Sequence, residues 1–142
     1  MGYLWVTLGS AIGGLLRYTI TRWTLGIDTG TGFPYGTVAI NIIGSFVIGY
    51  FGTLTLHSGR FAVSTNIRIF VMIGICGGFT TFSSFSLQTF DLLRTGFWGK
   101  ALVNVAVSVM LCIAAVGAGH MLAHRTVARF AIAETAEEEY TG

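Results

Sequence analysis

The sequence predicts an all-α integral membrane protein of four transmembrane helices, the third broken near mid-membrane. Three observations carry that prediction. Of 142 residues, 53% are hydrophobic and only 10% charged, with mean hydropathy +0.73. A soluble domain carries about 25% charged residues. The apolar residues also gather into long uncharged runs, and one hydrocarbon crossing takes ~20 of them, so four crossings nearly exhaust the chain. Inside the third run lies the polar, glycine-punctuated stretch Gly74-Ile75-Cys76-Gly77-Gly78-Phe79-Thr80-Thr81-Phe82-Ser83-Ser84-Phe85-Ser86. Non-helical backbone at that depth survives only where protein buries it or a polar cavity receives it. This stretch is the expected working part.

The first span runs from about Tyr3 to Thr21 and carries Arg17 near its end. A glycine-rich loop follows, with Gly26, Gly30, Gly32 and the single proline, Pro34. The second span covers about Thr37–Leu56, and a connection opening with His57-Ser58-Gly59-Arg60 reaches Arg68. The third covers about Ile69–Phe90, with unwinding expected at Gly77-Gly78. Asp91, Arg94 and Lys100 mark a short connection to the fourth, about Ala101–Leu122. Residues 1–125 thus form one transmembrane unit. Residues 126–142, with Glu134, Glu137, Glu138 and Glu139, read as a polar acidic tail expected to be disordered. Gly9 and Gly13, Ser45 and Gly49, and Ala115 and Gly119 place small residues four apart, a spacing that lets helices approach closely in lipid.

Several function classes drop out. The net charge of +2, without a basic cluster, gives no reason to expect a nucleic-acid partner. Cys76 and Cys112 lack CxxC spacing and read as small buried residues. Met1-Gly2-Tyr3-Leu4-Trp5 has no basic stretch, so no cleaved signal peptide is expected, and Val6 spoils a myristoylation pattern. No nucleophile–base arrangement supports an enzyme. His57, His120 and His124 lie at or beyond span ends without metal-ligand geometry.

Orientation follows from counting. With four spans, Arg60, Arg68, Arg125 and Arg129 share one side, and Arg17, Arg22, Arg94 and Lys100 the other. Four against four leaves no positive-inside bias. Equal insertion in both directions allows an antiparallel, dual-topology homodimer about a twofold axis in the membrane plane. That closed assembly, in a lipid bilayer, is the one expected.

The polar residues within the spans form stripes. Thr37, Asn41 and Ser45 share one helical face, as do Asn104, Ser108 and Cys112. Phe82 and Phe85 stand three apart with Ser83 and Ser86 beside them. An intramembrane Ser or Thr ordinarily bonds its own helix's carbonyls. Asn is harder to dismiss, because its amide brings two donors and an acceptor into hydrocarbon. No Asp or Glu lies inside any span, and a proton-coupled cation exporter needs one. Amide N–H, hydroxyl and the positive edge of a phenyl ring suit a small anion instead. Arg17, near an interface, either snorkels to headgroups or concentrates anions at a vestibule.

Taken together, these residues resemble the small fluoride channels of the Fluc (CrcB) family. Gly13-Gly14-Leu15-Leu16-Arg17-Tyr18 resembles the family's GGxxRY, and Gly36-Thr37-Val38-Ala39-Ile40-Asn41-Ile42-Ile43-Gly44 its GTxxxNxxG. Gly77 through Ser86 resembles GGxTTFSTFS, with Ser84 replacing Thr. The resemblance covers residues 3–122. It implies two fluoride pores per antiparallel dimer, passive export of cytoplasmic fluoride, and residence in the bacterial inner membrane. By the same resemblance Asn41, Phe82 and Phe85 line the pore, with Thr37, Ser83, Ser86 and Ser108 along its polar track and Arg17 at the vestibule. Gly77 and Thr80 carbonyls from both subunits hold a structural Na+. Asn104 replaces a common Tyr, and Cys112 sits where a hydroxyl can occur. Two other readings remain: a small dual-topology multidrug exporter, against which the missing carboxylate argues, and a structural subunit of a membrane complex.

Overall fold

The computed structural model describes residues 2–56 and 61–141, with side chains as far as residue 133. His57 and Arg60, used above for the span end and the charge count, lie outside the described residues. Every element among them is helical. Helix α1 is Gly2–Thr31 and α2 is Tyr35–Leu54. Helix α3 joins three consecutive segments: Thr65–Arg68, a π-helical stretch Ile69–Cys76, and Gly77–Phe79. Helix α4 is Phe82–Arg94, and α5 is Trp98–Thr141.

Among the described residues, three stretches are long and apolar enough to cross a membrane: Tyr35–Leu54, Thr65–Arg94 with the break inside it, and Trp98–Ala133. The sequence reading sets four. Helix α1 has the length but is not among them, with Arg17 inside its most apolar part. It also does not stop at Thr21. Gly26 and Gly30 are helical, and the expected glycine-rich loop shrinks to residues 32–34, where Gly32 turns the chain at φ +63°.

The last helix overruns its expected end at Leu122 as well. It continues as helix to Thr141 through the segment expected to be disordered. Alanine and glutamate dominate that segment, and both are strong helix formers. At 1.5 Å per residue a helix of 44 residues is roughly 66 Å long, twice the ~30 Å of a hydrocarbon core.

Glycines set the packing. Helices α1 and α3 run in the same direction, and a Cβ on Gly9 or Gly13 would strike the backbone carbonyl of Phe70 or Ile75. A Cβ on Gly78 would lie 2.7 Å from the Ser10 carbonyl, and one on Gly74 2.8 Å from the Cα of Gly9. Gly74 and Gly78 are therefore close-contact residues within a helix, not points of unwinding. Helices α2 and α5 also run parallel, with Gly49 facing the Val116 carbonyl and Gly119 that of Phe46. Such Cα-to-carbonyl approaches replace side-chain burial where lipid offers no hydrophobic drive.

Polar groups close the helix ends. Helix α2 starts after Pro34, which has no capping side chain, and Asp28 of α1 accepts the Gly36 N–H at 3.3 Å instead. A carboxylate there also complements the positive end of the helix dipole. Lys100 donates to the Thr31 carbonyl at 2.8 Å at the end of α1. Arg68 donates to the Gly52 carbonyl and to Thr55 Oγ1 at the end of α2.

The close approaches make a direct prediction. Gly13→Ala and Gly119→Ala should each lower unfolding stability in detergent by about 1–3 kcal/mol, the usual cost of overpacking. Gly14→Ala, whose Cβ would meet nothing within 4 Å, should leave stability unchanged or raise it by up to about 1 kcal/mol through helix propensity. Equal effects at all three positions would refute this account of the packing.

Candidate functional site

The third membrane element breaks at Thr80-Thr81, not at Gly77-Gly78. Gly77, Gly78 and Phe79 remain helical, whereas Thr80 (φ −73°, ψ 158°) and Thr81 (φ −151°, ψ 111°) are extended. The reason lies in the sequence around them. Gly78 is held against α1, and the methyl of Thr80 fills the space left by the missing side chain of Gly44 on α2. The β-branched pair Thr80-Thr81 tolerates extended backbone better than helix.

Asn41 of α2 closes the break. The Thr81 N–H donates to Asn41 Oδ1 at 2.8 Å, and Asn41 Nδ2 donates to the Thr81 carbonyl at 3.1 Å. The amide side chain thus pairs with both backbone groups of Thr81 as a residue on a neighbouring strand would. Thr81 then starts α4 as its N-cap: its Oγ1 accepts the Ser84 N–H at 3.1 Å, and Ser83 Oγ lies 3.2 Å from it. Both diversions have a consequence. In an unbroken helix the Thr81 N–H would serve the Gly77 carbonyl and the Ser84 N–H the Thr80 carbonyl. Both carbonyls lose that partner. Freed backbone oxygens without a carboxylate nearby suit a hard monovalent cation, so the donor chemistry at Gly77 and Thr80 fits the sodium expected there.

An open cleft of about 400 Å³ lies beside the break, between α2, α3, α4 and α5. It brings together six of the predicted residues: Asn41, Phe82, Phe85, Ser108, Gly77 and Thr80. Ser45 and Cys112, each the last member of a predicted stripe, also reach it. No acidic or basic side chain lines it. The Phe82 and Phe85 rings are 5.4 Å apart and tilted by 45°, and Phe82 is 79% exposed. A phenyl ring so bare at the centre of a membrane element is covered by nothing in the single chain.

The other predicted residues lie elsewhere. Thr37 is buried one turn before Asn41, away from the cleft. Ser86 bonds the Phe82 carbonyl of its own helix at 2.9 Å, the ordinary intrahelical arrangement. Ser83 turns toward Thr81. Arg17 is half-buried and not part of the cleft wall, and among the described residues its guanidinium has no carboxylate partner. Asn104, at 1% exposure, is fully buried, donating to Thr89 Oγ1 at 2.8 Å and lying 3.5 Å from Ser108 Oγ. It supports Ser108 from behind.

Sequence reasoning passed over two residues. The role of Thr81 was legible only as the last Thr before a helical run. Gln88 buries Oε1 without a hydrogen-bond partner among the described residues, in a cavity of about 330 Å³ near Asp91. His120 and His124 stack edge to face at 4.5 Å, and His120 Nδ1 is 2.9 Å from Thr53 Oγ1, away from the cleft.

Comparison with known proteins places this geometry. Residues 4–120 match the family described as CrcB-like protein, Camphor Resistance (CrcB). A protein of Gluconobacter oxydans named fluoride-specific ion channel FluC is 55% identical over 136 residues, covering 94% of this chain and 93% of the relative. Its namesake in Methylobacterium radiotolerans is 53% identical over 135 residues, with the same coverage. That of Methylocella silvestris is 54% identical over 123 residues, covering 87% of this chain and 93% of the relative. The chain belongs to the CrcB family.

Proposed function

We propose that this member of the CrcB family is a passive, fluoride-selective channel and that fluoride passes along the cleft beside the helix break. The observation carrying this reading is a cleft without a carboxylate, walled by the Asn41 amide, the Ser108 hydroxyl and two phenyl rings. Fluoride is small and strongly hydrated, and close fixed donors replace its water where chloride fits poorly. The names of the relatives support the choice of halide. An exporter driven by protons has no intramembrane carboxylate to use here.

The working unit in this proposal is an antiparallel homodimer with two pores, inserted in both orientations in a bacterial inner membrane and passing fluoride out of the cytoplasm. Exposure supports it: the bare Phe82 ring and the open space beside Gly77 call for a second surface. Charge supports it too. Arg68 and Lys100, one from each side, are both spent on helix-end carbonyls, so the balance of basic residues survives their withdrawal. Gly77 and Thr80 of both subunits would hold the structural sodium. Arg17, outside the cleft, belongs to the approach in this reading. Thr37, Ser83 and Ser86 contribute through the helices they stabilise.

Three measurements test the proposal. Liposomes containing the protein should pass fluoride without an imposed proton gradient and far faster than chloride. Asn41→Asp, which puts a negative charge where an anion must pass, should abolish flux with assembly retained. Phe82→Ile or Phe85→Ile should reduce it several-fold or more, in keeping with the 0.5–1.5 kcal/mol of an aromatic edge contact. Equal fluoride and chloride fluxes would end the reading. For topology, a single cysteine at Gly32, with Cys76 and Cys112 replaced by Ala, should be about half accessible from outside intact cells. Labelling from one side alone would exclude dual insertion. For the cation, sodium titrated into the sodium-free detergent-solubilised protein should raise its unfolding temperature saturably, with little response to calcium. A flat response would remove the sodium.

A further inference from the structure

The Asn41 amide is held by two bonds to the backbone of one residue, Thr81, through the two peptide groups that flank it. The Thr81 N–H can only donate, so it selects Oδ1; the Thr81 carbonyl can only accept, so it selects Nδ2. Normally the two ends of such a side chain interchange by a half-turn about a broad, roughly twofold torsion. Here a half-turn would set oxygen against oxygen and N–H against N–H. One lone pair of Oδ1, on the atom turned to Thr81, and one N–H of the amide are left over. Nδ2 carries two hydrogens, one goes to Thr81, and the second has no partner among the described residues, while Asn41 borders the cleft.

We infer that the Thr81 backbone is a positioning element for the anion pathway: its N–H and carbonyl fix the Asn41 amide with Oδ1 turned to Thr81, so that an N–H is presented to the cleft. The proposal rests on the reading of the cleft as the fluoride route. Asn41 by itself is an ambivalent group, as ready to accept as to donate. An amide free to turn would offer a cation its oxygen and an anion its N–H. Clamped, it presents an N–H, and the selectivity for negative charge resides in the backbone of a different helix. A donor held in place beforehand also needs no reorganisation when the ion arrives.

Burial and backbone geometry agree with this role. Thr81 is 6% exposed, and its extended φ and ψ point both its N–H and its carbonyl to α2. The N-cap bond to Ser84 and the seating of the Thr80 methyl at Gly44 hold that peptide from either side. In an unbroken helix the Thr81 N–H would be consumed within α3. The break is thus the condition for orienting Asn41.

The test removes one hydrogen and leaves every side chain in place. Replacing Thr81 by its α-hydroxy acid turns the Thr80–Thr81 linkage into an ester, deleting the N–H that selects Oδ1. The assembled ester protein should pass fluoride about tenfold or more slowly than wild type, the scale of a lost hydrogen bond to a charged ion, and discriminate less between anions and cations. Asn41→Gln, which keeps an amide but cannot make both bonds from the same backbone position, should do the same if the ester fails to assemble. A second readout does not depend on transport. The chain has three asparagines, Asn41, Asn66 and Asn104, so ¹⁵N-asparagine labelling yields three side-chain amide signals. The Asn41 pair should show one hydrogen protected from exchange and one open, a difference reduced in the ester, where the Thr81 carbonyl holds the amide alone. Wild-type flux with an unaltered ester flux overturns the inference, as does equal exchange of both Asn41 hydrogens in wild type. If wild-type protein passes no fluoride, the function proposed above fails, and the exchange pattern alone decides whether Thr81 holds the amide.

Discussion

A backbone that leaves the helix inside hydrocarbon must find partners for its peptide groups, and the rest of this molecule is arranged around that demand. Each bare N–H or carbonyl there costs several kcal/mol. The Thr81 peptide answers with the Asn41 amide, and the Ser84 N–H with the Thr81 hydroxyl. Because both answers come from side chains and not from the preceding turn, two carbonyls are released. The break therefore sorts polarity: it holds the Asn41 amide at the cleft wall and leaves acceptors at Gly77 and Thr80. One local event accounts for anion-suited and cation-suited chemistry a few residues apart.

The break sits where it does because its flanks are rigid. Glycine contacts lock α3 to α1 through Gly74 and Gly78, and α2 to α5 through Gly49 and Gly119. The two parallel pairs are held backbone against backbone, so the third element has little freedom before Phe79. Past Phe79 the constraint ends. Helix α4 is bound to the remainder mainly at the hairpin with α5, where Leu92 and Ala101 are buried and Thr89 meets Asn104. The π-helical stretch Ile69–Cys76 belongs to the same picture: a widened helix lets the carbonyls of Phe70 and Ile75 reach Gly9 and Gly13. Such stretches are rare and cluster at functional segments.

Much of this was legible in the sequence. The uncharged runs marked the long apolar elements in their order, and the Asn41 and Ser108 stripes identified residues that meet in one cleft although they are far apart in sequence. The failures have physical causes. Three glycines before Thr80 read as a place to unwind, yet glycine in a membrane helix as often permits close packing, and only the neighbouring helix decides which. Ser83 and Ser86 stood beside the phenylalanines in sequence, but a helix turns them away from the cleft, Ser86 onto its own backbone. Helices α1 and α5 run past Thr21 and Leu122, the expected limits of two membrane spans. Apolarity ends a membrane crossing. The backbone continues while propensity and end-capping allow it, as Lys100 does for α1.

The family match adds identity, and the geometry adds a reason for it. An amide, a hydroxyl and two aromatic edges would be unremarkable on a soluble surface, where water satisfies ions better than any of them. Their force comes from what surrounds them. The cleft contains no side-chain charge, so on the proposed route an ion would meet only dipoles, among them the Asn41 amide held by its hydrogen bonds to Thr81. In low dielectric such dipoles act strongly and cannot turn to suit the opposite sign. A charged lining would bind one sign tightly and release it slowly, whereas passage requires binding weak enough to leave. Selecting by oriented neutral groups satisfies both conditions. It also explains why the polar residues that matter most here, Asn41 and Thr81, spend their hydrogen bonds on each other.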